Sequence, residues 1–75
     1  MMNEKILEQL TVLESIKNDG NTVMIKFDGE RESNQISVVV GFPQKKNSEV
    51  IQYHGDDLVK LLERLIKDYQ QKSGV

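Results

Sequence analysis

The spacing of apolar side chains changes twice along this chain, and those two changes leave few ways to fold it. From Asn3 to Lys17 the apolar residues Ile6, Leu7, Leu10, Leu13 and Ile16 recur at intervals of three and four, with Glu4, Glu8 and Glu14 off that stripe. A helix turning once per 3.6 residues brings such positions to one side, so a helix is expected over 3–17, capped by Asn3. The turn Asn18-Asp19-Gly20-Asn21 follows, with a glycine suited to the left-handed conformation that closes helices. Beyond it the interval drops to two: Val23, Ile25 and Phe27 alternate with Thr22, Met24 and Lys26, and Ile36, Val38 and Val40 alternate with Ser37, Val39 and Gly41. That is the period of strands with one buried face, expected over 22–28 and 35–42 and joined by the polar hairpin loop opened by Asp28-Gly29. After a connection holding the sole proline, a third strand is expected over 49–54, with Ile51 and Tyr53 turned inward.

The helical period then returns. Leu58, Leu61, Leu62, Leu65 and Tyr69 form a stripe that Val59 and Ile66 widen, predicting a helix over 56–71. On its polar side Asp56–Lys60, Glu63–Lys67 and Asp68–Lys72 each place an acid four residues ahead of a base. Two helical stripes and one alternating sheet face satisfy one another if both helices stack on that face. The expected fold is therefore α+β: a two-layer α/β sandwich in the order α-β-β-β-α, with a three-stranded antiparallel sheet and both helices on one face.

A chain of 75 residues has room for one core and little room for an internal cavity. It contains no cysteine, which removes disulfides, thiolate catalysis and sulfur-ligated zinc from consideration. With 37% hydrophobic and 29% charged residues it has the composition of a soluble globular domain, and no apolar run approaches the roughly 18 residues a membrane span requires. Glu4 and Glu8 stand where a secretory leader needs a basic start and an apolar stretch, so the cytoplasm is the expected compartment. The net charge of -2 gives no global attraction for nucleic acid or anionic lipid.

The stretch His54-Gly55-Asp56-Asp57 holds the only histidine beside two carboxylates. As a metal centre it is short of ligands, because consecutive residues at a helix start project about 100° apart and no second histidine exists to complete a set. As the place where a strand stops and a helix starts it makes sense residue by residue: Gly55 permits the turn, and the two aspartates meet exposed amides at the positive end of the helix. Short catalytic signatures of the G-x-S-x-G, glycine-rich phosphate-loop and H-E-x-x-H kinds are missing from the sequence. Asp28, Glu30 and Glu32 alternate as calcium ligands do, but Arg31 stands among them and the rest of a calcium loop is missing. No catalytic residue, metal or cofactor is expected.

Helix, three strands, helix is also an element order that resembles the double-stranded RNA-binding domain, over the whole chain and by topology alone. That family grips phosphates with lysines at the start of its second helix, where this chain has Asp56 and Asp57, and its G-P-x-H loop reads F-P-Q-K-K-N-S here. The small toxin ribonucleases of the HicA type are similar in element order too, but carry their histidine in a Gly-Ser-His context early in the sheet. An RNA-binding reading therefore rests on Lys45 and Lys46, and a histidine-dependent hydrolase reading on His54. The leading expectation lies elsewhere. By alternation Met24, Val39 and Val50 fall on the sheet face turned from the helices, among Thr22, Lys26, Ser37, Gln52 and His54. An uncovered apolar patch there, or an unpaired edge strand, suits a protein partner or a second copy. The expected function is a non-catalytic interaction module, a regulator, inhibitor or adaptor of the size that phages and mobile elements encode.

Overall fold

A computed structural model describes residues 4–43 and 50–72. Asn3, expected as a helix cap, and Lys45 and Lys46, expected as a phosphate contact, lie outside the described residues. Five elements follow in the order α1 (Glu4–Asn18), β1 (Thr22–Phe27), β2 (Ile36–Gly41), β3 (Val50–Gly55) and α2 (Leu58–Lys72). The strands form one antiparallel sheet in the order β1-β2-β3, which puts β2 in the centre and makes β1 and β3 its edges. Among the described residues no helix is long and apolar enough to cross a membrane.

Both helices lie on one side of the sheet. α2 packs on β2 and β3, while α1 packs on α2 and β1. Val38 and Val40 of the central strand, with Leu62 and Leu65 of α2, are sealed from solvent, and Leu13, Ile16, Phe42, Ile51 and Leu61 complete the core. Phe42 lies just past β2, and its ring stacks on Tyr69 at 5.8 Å between centroids. Tyr69 also ties the far ends of the chain together. Its hydroxyl donates to Asp19 Oδ2 at 3.1 Å and accepts from Asn21 Nδ2 at 3.1 Å. The turn it holds is the expected one: Gly20 has φ 93°, and its amide donates to the Lys17 carbonyl to end α1.

α1 buries only part of the stripe expected of it, Leu13 and Ile16 with Ile6 half-buried. Leu7 and Leu10 are 55% and 38% exposed, whereas Gln9 is buried and Val12 half-buried. The reason is the neighbouring helix. Gln9 Nε2 donates to the Val59 carbonyl at 3.0 Å, and Lys5 meets Glu63 at 3.2 Å, so the side of α1 carrying Lys5 and Gln9 is turned toward α2. At about 100° per residue, Leu10 is roughly a quarter turn from Gln9 and Leu7 nearly half a turn, so the rotation that serves α2 pushes both outward. A second departure is Phe27, which shares the helix-facing side of β1 yet is 67% exposed, because the strand carries it to the rim of the helix layer.

The acids of α2 also differ from their expected use. Glu63 pairs with Lys5 of α1, Asp68 accepts from the Tyr53 hydroxyl at 2.8 Å, and Asp56 stands before the helix, so the three expected intrahelical pairs are replaced by contacts between elements.

Candidate functional site

Strand register places every outward side chain of the sheet. Met24 stands beside Val39, and Val39 beside Gln52; Lys26 stands beside Ser37, and Ser37 beside His54; Thr22, Gly41 and Val50 make the third row. The sequence-predicted trio therefore shares one face. Met24 and Val39 are direct cross-strand neighbours, while Val50 lies one row off, diagonal to Val39. Met24 is 57% and Val50 51% exposed, with Val39 half-buried between its neighbours in the central strand. No described element lies over this face.

Glycine at position 41 shapes one end of the face. A Cβ there would come within 2.6 Å of Thr22 Oγ1, so the threonine side chain leans over bare backbone. Thr22, Gly41, Phe42, Pro43 and Val50 surround the resulting shallow recess. At the opposite end stands the one charged side chain of the face, Lys26, whose Nζ lies 3.9 Å from Asp28 Oδ2.

His54 belongs to this face as well, and one of its two partners was not legible from its neighbours in sequence. Its Nδ1 lies 2.7 Å from Ser37 Oγ and its Nε2 lies 2.9 Å from Gln52 Nε2. With the proton on Nδ1 the ring donates to Ser37 and accepts from Gln52; turning the Gln52 amide over reverses both. A serine hydroxyl on a histidine nitrogen is also the first contact of nucleophilic catalysis, in which a carboxylate normally holds the other nitrogen and the serine faces open space. Here a neutral amide holds that nitrogen, and Ser37 is buried among its neighbours. The trio accounts for itself as a clamp joining β2 to β3. The Gln52–His54 half was readable from their two-residue spacing, but the Ser37 half needs the register.

The remaining residues of His54-Gly55-Asp56-Asp57 separate into distinct tasks. β3 ends at Gly55, whose missing side chain makes room rather than a turn: a Cβ there would sit 3.1 Å from Leu61 Cδ2. Asp57 caps α2, with Oδ1 accepting from the Lys60 amide at 3.2 Å. Asp56 reaches the other way, its two oxygens accepting from the amides of Gln35 and Asn34 at 3.0 Å each. Asn34 has φ 53°, so Asp56 braces the left-handed residue that ends the hairpin loop. Those two hydrogen bonds, Gln35 first, hold the Asp56 carboxyl below its ordinary value of 3.8. Among the described residues no three acids or histidines converge as metal ligands would.

On the helix side, Arg64 lies over the Tyr53 ring at 4.8 Å, beside Asp68. The hydrogen bond to Asp68 raises the Tyr53 phenol above its ordinary 10.0, burial and the carboxylate charge adding to it and the Arg64 cation opposing. These groups satisfy one another across β3 and α2.

Fold and face together define a small two-layer α+β domain with one side of its sheet covered and the other open. No family model, curated protein or solved structure matches the chain.

Proposed function

We propose that this domain is a non-catalytic protein-binding module that regulates, inhibits or bridges another protein through the open side of its sheet. The observation carrying this reading is the pairing of Met24 with Val39 on a face where one of nine outward positions, Lys26, is charged, in a chain 29% charged overall. Depletion of charge at the centre of a patch is the compositional mark of an interface core. Around that centre, Thr22 and the Gln52 amide, beyond its contact with His54, supply neutral hydrogen-bonding groups. The partner is thus a protein surface with an apolar centre and an acid placed to meet Lys26.

The scale of the face sets the strength of the contact. Three strands about 4.8 Å apart and six residues long span about 15 Å by 20 Å, roughly 300 Å² in plan, against about 800 Å² per partner in a standard stable complex. Engagement by one copy is weak and reversible.

Val39→Asp combined with Met24→Asp places two carboxylates at the centre of the patch without entering the helix-side core. In capture from the source cells, proteins retained by the wild type are expected to be lost from a double variant whose circular dichroism and melting temperature match the wild type. Equal retention by both chains, or none by either, rejects the proposal.

A further inference from the structure

We infer that two copies of this chain join edge to edge through β1, antiparallel and centred on Ile25, into one six-stranded sheet carrying all four helices on one side. Among the described residues, four of the five large apolar side chains left exposed, Leu7, Leu10, Met24 and Phe27, belong to α1 and β1, the two elements at one edge of the molecule. β1 pairs with β2 along its full length without a bulge, and among the described residues nothing pairs with its other backbone edge. Proline, bulges and several charges are the usual defences of such an edge, and Thr22–Phe27 has a single lysine. At the other edge the helix side is closed: Ile51 of β3 is buried, and Tyr53 is held by Asp68 and Arg64. The helix side of β1 ends instead in Phe27, uncovered.

Symmetry selects the register. An antiparallel two-fold pairing of edges has its axis perpendicular to the sheet, so residues opposite one another share a face. Centring on Lys26 sets two ammonium groups face to face. Centring on Met24 leaves Phe27 beyond the end of the partner strand. Centring on Ile25 places Val23 opposite the partner's Phe27 on the helix side and Met24 opposite the partner's Lys26 on the outer side, with no like charges directly opposed. It also brings the two α1 helices to neighbouring positions across the axis, since α1 is the helix that packs on β1. The paired sheets present one outer face of about twice the area, roughly 600 Å² in plan, closer to what a stable complex requires. The pairing stands independently of any outside partner.

Sedimentation of the full chain across a concentration series tests it, because Met24 and Phe27 are exposed and their replacement spares the core. The wild type is expected to be dimeric. Met24→Lys, which sets lysine against the partner's Lys26 twice, is expected to weaken the dimer a few-fold, and Met24→Glu to strengthen it by a similar factor. Phe27→Lys is expected to weaken it at least about tenfold, while Val50→Lys at the far edge leaves it unchanged. Since the chain has no cysteine, Ile25→Cys adds a lone thiol that is expected to oxidise to a covalent dimer, and Lys67→Cys on the outside of α2 is not. A wild type that stays monomeric at every concentration, a dimer indifferent to Phe27→Lys, or equal and same-signed effects of Met24→Lys and Met24→Glu overturns the inference. Val39→Asp, in the central strand, separates the two proposals: it is expected to leave the dimer intact while abolishing partner capture.

Discussion

Asp56 and Asp57 are chemically identical neighbours with different work, and substitution separates them. Asp57 satisfies an amide in the first turn of α2, so Asp57→Ala is expected to lower stability by about 1 kcal/mol in urea unfolding at neutral pH. Asp56 holds the end of the hairpin loop with its charge. Because its folded pKa lies below the ordinary 3.8, its contribution is fully present above that value and is lost as pH falls through the lower folded one. Asp56→Asn is therefore expected to reduce stability at neutral pH and to flatten its decline in acid, measured by urea midpoints from neutrality into the carboxylate range. An Asp56→Asn chain with an acid decline as steep as the wild type's contradicts this. Both residues were expected at a helix start, and Asp57 serves there. Asp56 could not be assigned from sequence, since its partners Asn34 and Gln35 lie more than twenty residues away.

The two helices differ in how far their pattern predicts their packing. In α2 the leucine stripe is broad, and Leu61, Leu62 and Leu65 are buried as the spacing requires. In α1 the stripe competes with a single polar contact, Gln9 to Val59, and with the ion pair from Lys5 to Glu63; the helix rolls toward α2 and leaves Leu7 and Leu10 outside. Leucines of equal hydrophobicity should then carry unequal weight. Leu62→Ala is expected to cost about 2–5 kcal/mol, the transfer of a sealed side chain plus the cavity left behind. Leu7→Ala is expected to change stability by less than about 0.5 kcal/mol, as exposed substitutions do. Denaturant midpoints of the two variants decide it, and comparable losses would mean that α1 is seated as its sequence pattern suggests.

At the scale of the molecule, two tyrosines fasten α2 to the rest of the chain. Tyr53 links β3 to α2 through Asp68, and Tyr69 links α2 to the α1–β1 turn through Asp19 and Asn21. Both phenols are raised above 10.0, Tyr53 chiefly by its hydrogen bond to Asp68 and Tyr69 chiefly by burial. A raised pKa favours the protonated form in the folded state, so the stabilisation is complete below 10.0 and is lost as pH rises through the folded values. Melting temperature is expected to fall on the alkaline side, and to fall less in a Tyr53→Phe, Tyr69→Phe double variant. The element order, the face each strand residue occupies and the grouping of Met24, Val39 and Val50 follow from period alone, because alternation and helical spacing are local properties of the chain. The central place of β2, the union of Ser37 with His54, the roll of α1 and the apolar edge at β1 arise from register and from contacts between distant segments, and those balances of long-range packing leave no periodic trace for a linear reading to find.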